Sequence, residues 1–210
     1  MILNRLLFTM MNNPIRAWSQ RLLETPLLIG PPGVLAGRRV LEIGCGRGVG
    51  VQILLALGAG HVTGIDLDPQ MISLARKRIT RYANKADVFV GDGQAIDAPD
   101  VAFDVVVGYG VIHHIPNWLL AVKEVSRVLK PGGRYYFEEW LKGFTTAWAI
   151  RALFGQPQVA AFSGEELRSG LEASGLRVSQ WRQWGELGVM GSADKCAVST
   201  AWAHGREVSS

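Results

Sequence analysis

The residues that most clearly suggest chemistry form a glycine-rich turn. After an apolar run, residues 44–48 read Gly-Cys-Gly-Arg-Gly, and a second apolar stretch begins at Val49. Glycine lets the backbone approach a ligand closely and adopt positive φ, and the N-terminus of a following helix offers free N–H groups. The dinucleotide fingerprint G-x-G-x-x-G needs a third glycine at position 49, where this chain has valine. The turn therefore predicts a cofactor site and disfavours a nicotinamide or flavin enzyme.

Two acids follow at the ends of the next two apolar runs. Asp66, in Gly-Ile-Asp, comes about 20 residues after the glycines, where a carboxylate can accept hydrogen bonds from both hydroxyls of a ribose. Asp92, in Gly-Asp-Gly, ends the third run within reach of an adenine amino group. The alternatives are that Asp66 caps the next helix and that Asp92 is a solvated turn residue.

Candidates for acid–base chemistry lie after the fourth and fifth runs, where an open parallel sheet binds its ligands. His113 or His114 could act as a general base, because a neutral imidazole titrates near working pH, or the pair could simply pack. Tyr109 belongs either to the pocket or to the core. Glu138 and Glu139 point to opposite faces of a continuing strand, so at most one faces the cleft.

The elements that must position these residues alternate along the chain. Helices are predicted between the apolar runs, over 49–57, 69–82 and 117–129. Asp68 is the N-cap of the second helix, and Pro131-Gly132-Gly133 follows the third. Strands alternating with helices imply a parallel sheet with helices on both faces. The predicted buried strands are 39–43, 61–65, 87–90, 103–107 and 134–137.

The pattern changes after Trp140. A capping box at Ser163 predicts one more helix, which Gly175 ends. Two late runs at 176–184 and 189–200, joined by a short glycine-flanked connection, predict an antiparallel hairpin at one edge of the sheet.

In order and spacing these motifs resemble the class I S-adenosylmethionine-dependent methyltransferases of the small-molecule, type 11-like group. The matching stretches are 41–48, 64–66, 91–93, 103–107 leading to 113–115, and 127–133. The resemblance implies a Rossmann-like α/β fold with a seven-stranded, mostly parallel sheet whose last strand is antiparallel. It also implies S-adenosylmethionine as the cofactor.

The resemblance further implies a set of site residues. The glycine turn would wrap the methionine moiety, Asp66 would hold the ribose, Asp92 would contact adenine, and Glu42 would orient the ammonium group. Cys45 is expected to pack or to offer its backbone. His113 and His114 are the catalytic candidates. The expected cofactor-binding residues are Glu42, Gly44, Cys45, Gly46, Asp66, Leu67, Asp92, Gly93, Gln94, Gly108 and Tyr109.

Charge and apolar residues set the N-terminal arm, predicted over residues 1–37, apart from the rest of the chain. The 210 residues carry a net charge of +4, and residues 1–39, with five arginines and one glutamate, account for all of it. Ile15, Trp18 and Leu22 align on a helix predicted from Pro14 to about Leu23, following a first helix over residues 3–10. Such an arm packs as a lid over the cofactor, lies through residues 1–24 on an anionic membrane surface, or does both.

Composition limits the remaining possibilities. The mild basic excess argues against nucleic-acid binding, and two cysteines without metal-ligand spacing argue against a disulfide scaffold or a metal site. No apolar stretch is long enough to span a bilayer, and the early end of the first apolar run argues against export. We expect a cytoplasmic protein, with peripheral contact at the inner membrane surface as the alternative.

The predicted organisation is the arm, a cofactor-binding domain over 38–200 with a substrate-side insertion at 141–162, and a tail at 201–210. The function that these features favour is methylation of a small, apolar, lipid- or quinone-like acceptor. A non-catalytic S-adenosylmethionine-binding subunit and an NAD(P)-dependent oxidoreductase are the alternatives.

Overall fold

The computed structural model describes residues 13–82, 84–146 and 160–196. The helix expected over 3–10, most of the insertion at 141–162 and the tail at 201–210 lie outside these residues. Seven strands form one sheet in the order β3-β2-β1-β4-β5-β7-β6. They are β1 Arg39–Ile43, β2 His61–Asp66, β3 Ala86–Val90, β4 Phe103–Tyr109, β5 Leu129–Trp140, β6 Leu176–Trp184 and β7 Gly188–Lys195.

The sheet is parallel except for β7, which pairs antiparallel with both β5 and β6. The predicted seven-stranded fold with an antiparallel last strand is thus confirmed. The hairpin is also confirmed, and its outer strand β6 forms the edge of the sheet while β7 lies inside it. A strand buried on both faces reads as a continuous apolar run, which is why β4 is recognisable in the sequence.

Helices pack on both faces of the sheet and bury two apolar clusters against it. They are α1 Pro14–Ser19, α2 Thr25–Leu28, α3 Val49–Ala56, α4 Pro69–Ile79, α5 Trp118–Val128, α6 Lys142–Thr145 and α7 Gly164–Ala173. Their starts follow the predicted capping chemistry. Asp68 accepts a hydrogen bond from the backbone N–H of Gln70, and Ser163 and Glu166 form a complete capping box. No helix in the described part of the chain is long and apolar enough to cross a membrane.

Predicted boundaries differ most from the structure at three places. The last strand, predicted over 189–200, ends at Lys195. Strand β5 begins directly at Leu129, so Pro131-Gly132-Gly133, expected as a turn after α5, lies within the bounds of that strand. The N-terminal helix, expected to end near Leu23, continues through a π-helical turn at Gln20–Glu24 into α2. We call the whole stretch Pro14–Leu28 the arm helix.

Candidate active site

A cavity of about 230 Å³ opens at the carboxyl ends of β1 to β4. All of the predicted site residues line it except Gly108 and His113. Gly108 is buried within β4, and a Cβ atom built there would lie 3.0 Å from Val111 and 3.1 Å from the Tyr135 hydroxyl. Its role is therefore to let the strand and the loop after it pack closely.

The glycine turn adopts the backbone conformation that its sequence predicts. Gly44, Gly46 and Gly48 have φ values of 70°, 49° and 80°, in the left-handed region that favours glycine. A Cβ atom at Gly44 would lie 2.5 Å from the side chain of Val111. The turn thus needs glycine both for its conformation and for close approach to the loop after β4.

Asp66 connects this turn to the end of β2. Its Oδ2 accepts a hydrogen bond from the Gly46 backbone N–H at 2.8 Å, and its Oδ1 accepts one from the Asp68 N–H at 2.9 Å. Burial raises the pKa of the Asp66 carboxyl, and the two N–H donors oppose that rise. Asp68, rather than Asp66, caps α4. Each Asp66 oxygen keeps a further lone pair, as a ribose-binding carboxylate requires.

Asp92 and Gln94 form a small hydrogen-bonded group at the end of β3. Asp92 Oδ1 accepts from the backbone N–H of Gln94 at 2.9 Å, and Gln94 Oε1 accepts from the Asn117 N–H at 3.3 Å. A Cβ atom at Gly93 would lie 2.9 Å from Ile115. These hydrogen bonds fix the Asp92 carboxylate at the rim of the cavity, and the absence of a side chain at Gly93 keeps the cavity open.

Glu42 is the most unusual polar group of the site. Its side chain is buried, and within the described residues its Oε2 has no hydrogen-bond partner. A Cβ atom at Gly50 would overlap Glu42 Oε1, so glycine is required there. Burial and the neighbouring Asp66 raise the pKa of Glu42 well above its ordinary value. An unpartnered buried acid that lines a cavity is suited to a cationic ligand group such as an ammonium.

Cys45 is buried beside Glu42 and Asp66, and burial together with these acids raises the pKa of its thiol. A reactive cysteine needs a lowered pKa, so the expectation that Cys45 only packs and offers its backbone agrees with its surroundings.

The two histidines differ in position. His113 is buried and its Nδ1 lies 2.7 Å from Glu139 Oε2, away from the cavity. His114 lines the cavity, and no described residue is a hydrogen-bond partner of its Nδ1. Burial and the adjacent His113 lower the pKa of His114 to about 3, so its imidazole is neutral at physiological pH. The geometry places His114, and not His113, where it can contact an acceptor.

Glu139 organises the loop that carries these histidines. Its carboxylate accepts hydrogen bonds from the backbone N–H groups of Val111, Ile112 and His113 and from the His113 imidazole. Glu138 lies on the opposite face of β5, as alternation requires. Burial and the neighbouring Glu24 raise the pKa of Glu138 to about 7.

The arm helix closes one side of the cavity with residues that were not singled out from the sequence. Arg16, Ala17 and Gln20 line the cavity, and the Thr25 hydroxyl lies 3.0 Å from the hydroxyl of Tyr109. Arg16 also forms an ion pair with Glu24. The arginine-rich composition indicated an arm, but only the fold shows which of its residues reach the cavity.

Comparison with known proteins agrees with this geometry. A family model described as "Methyltransferase domain" matches residues 41–137, which contain the glycine turn, Asp66, Asp92 and the histidine loop. Over these residues the chain is similar to the class I S-adenosylmethionine-dependent methyltransferases. S-adenosylmethionine is accordingly the cofactor that the domain implies, and the unpartnered Glu42 carboxyl and the glycine cradle at Gly44 and Gly50 fit it.

Relatives of this part of the chain include methyltransferases whose names refer to quinones and hydroquinones. The chain is 33% identical over 111 residues to a ubiquinone biosynthesis O-methyltransferase of Aromatoleum aromaticum, covering 52% of this chain and 47% of that protein. It is 34% identical over 155 residues to the 2-methyl-6-phytyl-1,4-hydroquinone methyltransferase of Synechocystis, covering 70% and 47%. The chain thus spans about half the length of these curated relatives.

A solved structure of similar fold is a putative S-adenosylmethionine-dependent methyltransferase from Listeria monocytogenes. It has a TM-score of 0.71 at 17% identity and covers 87% of this chain and 99% of its own. This likeness concerns the fold alone.

Proposed function

We propose that the protein binds S-adenosylmethionine in the cavity and catalyses methyl transfer to a small, apolar acceptor of lipid or quinone type. The observation that carries the first part is the joint placement of Glu42, Asp66 and Asp92 at three successive strand ends around one cavity. Glu42 holds the ammonium of the cofactor, Asp66 the ribose hydroxyls, and Asp92 the adenine amino group.

When bound, the cofactor supplies a methyl group on a sulfonium, and transfer is an in-line displacement in which the S–C bonding electrons return to sulfur. The residues of the chain mainly align the acceptor and exclude water. Tyr109, His114 and the loop between them border the cavity at the end of β4 and bring the acceptor to the methyl group. A hydroxyl acceptor must also lose its proton. His114 lines the cavity at this position, but its pKa, lowered to about 3, makes the imidazole a weak base, contrary to the expectation that it titrates near working pH.

Two observations support an apolar acceptor. The loop after β4 presents Val111, Ile115 and Pro116 to the cavity beside His114. The names of the two relatives described above refer to ubiquinone and to a phytyl hydroquinone. Both of these molecules carry apolar groups. An acceptor of this kind gains most of its binding free energy from burial of apolar surface.

A methyl-label transfer screen tests this function directly. The full chain is incubated with methyl-labelled S-adenosylmethionine and with either extracted lipids and quinones or polar metabolites, and Asp66→Ala serves as the binding-deficient control. We expect label in the apolar fraction with the wild type, and roughly tenfold less label with Asp66→Ala when the cofactor concentration is below Kd. Label in polar products alone would overturn the acceptor class. Cofactor binding by calorimetry without transfer to any acceptor would support a non-catalytic subunit, and binding of NAD(H) alone would support an oxidoreductase.

A further inference from the structure

The outward face of the arm helix is apolar and exposed. Ile15, Trp18 and Leu22 follow one another at near-helical spacing and are 76%, 58% and 51% exposed. Leu23 and Leu27 extend the same exposed stretch towards the end of the helix. Single exposed apolar residues are ordinary, but a contiguous group of large ones indicates an interaction surface.

The charge on this face has one sign. Arg21 is exposed, whereas Glu24 is partly buried and ion-paired with Arg16. The described arm helix therefore presents the exposed cation of Arg21 to a partner, and its acid, Glu24, is already ion-paired. A surface of tryptophan, aliphatic side chains and arginine suits an anionic lipid bilayer, where the apolar groups enter the interface and the cation faces the headgroups.

A second element adds exposed tryptophans beside the arm helix. Trp140 and Trp184 end β5 and β6, both pair in register with Gly188, and they are 40% and 54% exposed. Trp140 is on the same sheet face as Tyr136, which packs in one cluster with Leu28 of the arm helix. Helix α2 contacts β5 and β7. Tryptophan favours the membrane–water interface, so two separate elements present the same chemistry at one edge of the sheet.

The arm helix separates this surface from the cavity. Other residues of the arm helix, Arg16, Ala17 and Gln20, line the cavity on its inner side. The arm helix therefore stands between the cofactor site and the exposed apolar face. A lipid-borne molecule arriving at that face is one helix away from the proposed site of methyl transfer.

We propose that the outward face of the arm helix, together with Trp140 and Trp184, rests on an anionic membrane surface and admits the acceptor from it. The route of the acceptor rests on the proposed function. The lipid contact itself does not, because it can be measured without any methyl transfer.

Vesicle flotation tests the contact. The full chain is mixed with phosphatidylcholine vesicles that contain or lack phosphatidylglycerol, at low and high salt. We expect flotation with the anionic vesicles, weakened by salt because exposed charges are screened. In Trp18→Glu/Leu22→Glu the bound fraction should fall about tenfold or more, because two interfacial side chains are lost. Phe89→Glu/Val101→Glu adds the same two charges at exposed apolar residues outside the arm helix, and it should float like the wild type.

Folding of each variant is checked by circular dichroism and by calorimetric binding of S-adenosylhomocysteine. The proposal is overturned if the wild type does not float with anionic vesicles, or if the double variant floats equally well. It is also overturned if sedimentation shows a wild-type dimer that the double variant abolishes, because a second copy then covers this face. If the wild type does not float with anionic vesicles but still methylates a detergent-solubilised quinone, the membrane contact is rejected and the proposed function stands.

Discussion

At the scale of single residues, two acids of the cavity, the buried Glu42 and the half-buried Asp66, are prepared for different ligand groups. Asp66 has a backbone N–H donor on each oxygen, which holds the carboxylate in one orientation. Glu42 has an oxygen that no described group satisfies, and leaving such a group unpaired is costly unless a ligand completes it. The first arrangement suits neutral hydroxyls, and the second suits a cation.

Replacing Asp66 by alanine should weaken S-adenosylhomocysteine binding by at least about 1.5 kcal/mol, or roughly tenfold in Kd, because hydrogen bonds to a charged group are lost. Isothermal titration calorimetry measures this change. Asp87→Ala removes an exposed acid paired with His61 and should leave the affinity unchanged. Equal affinities of Asp66→Ala and the wild type would contradict the assignment.

Glu42 should lose a proton when the cofactor binds. Because burial and Asp66 raise its pKa, the free protein holds that proton to higher pH, whereas an adjacent ammonium favours the carboxylate. Calorimetry with S-adenosylhomocysteine in two buffers of different ionisation enthalpy should show proton release by the wild type. Glu42→Gln should release none and bind about tenfold more weakly.

The control for this experiment is Glu172→Gln, an exposed position on α7. It should reproduce the proton release and affinity of the wild type. Identical proton release by Glu42→Gln and the wild type would show that the ammonium does not contact Glu42.

At the scale of elements, β5 fixes the loop after β4 through one side chain. Glu139 is the acceptor for three consecutive backbone N–H groups, so the loop bearing His114 is fixed by a neighbouring strand rather than by its own sequence. The same contact explains why His113 points away from the cavity. Its ring completes the hydrogen bonds of Glu139.

Glu139→Gln should lower the free energy of unfolding by about 3 kcal/mol, because an amide cannot replace a carboxylate that accepts several buried N–H bonds. Urea denaturation at constant pH measures this loss. Glu172→Gln should stay within about 0.5 kcal/mol of the wild type. A fully stable Glu139→Gln would mean that apolar packing alone holds the loop.

At the scale of the whole molecule, global stability should depend on pH through groups between the arm helix and the sheet. Glu138 faces Glu24 and Arg16 across this boundary, and its pKa is raised from 4.5 to about 7. The folded state therefore binds more protons than the unfolded state between these values, so this group's contribution to stability is lost as pH rises to about 7. His114, whose pKa is lowered to about 3, acts in the opposite direction below pH 6.5.

Comparison with a variant separates the two effects. Glu138→Gln should become more stable relative to the wild type, by about 1–3 kcal/mol in total, as pH rises from about 5 to 8. Urea midpoints measured across this range give the difference. A constant offset between the two proteins would show that Glu138 does not titrate with a raised pKa.

Much of the fold follows from local sequence features. Continuous apolar runs identify β1 and β4, and the caps at Asp68 and Ser163 locate the starts of α4 and α7. These signals are readable because burial on both faces and helix capping depend on neighbouring residues. The start of β5 was misplaced because the strand begins before this turn signal. Leu129 pairs with Phe103 and Arg134 with Val105, and Pro131-Gly132-Gly133 lies in the register irregularity between these pairs.

The sequence by itself therefore determined the type of cofactor site, since the glycine turn, Asp66 and Asp92 stand at strand ends whose order along the chain implies one edge of a parallel sheet. Only the tertiary structure decided which of two adjacent histidines lines the cavity, that Glu42 Oε2 has no hydrogen-bond partner among the described residues, and that the arm helix covers the cavity. These facts depend on contacts between residues far apart in the chain, such as Glu139 with His113 and Thr25 with Tyr109. No local sequence pattern predicts such contacts, because they form only after the sheet has brought its strand ends together.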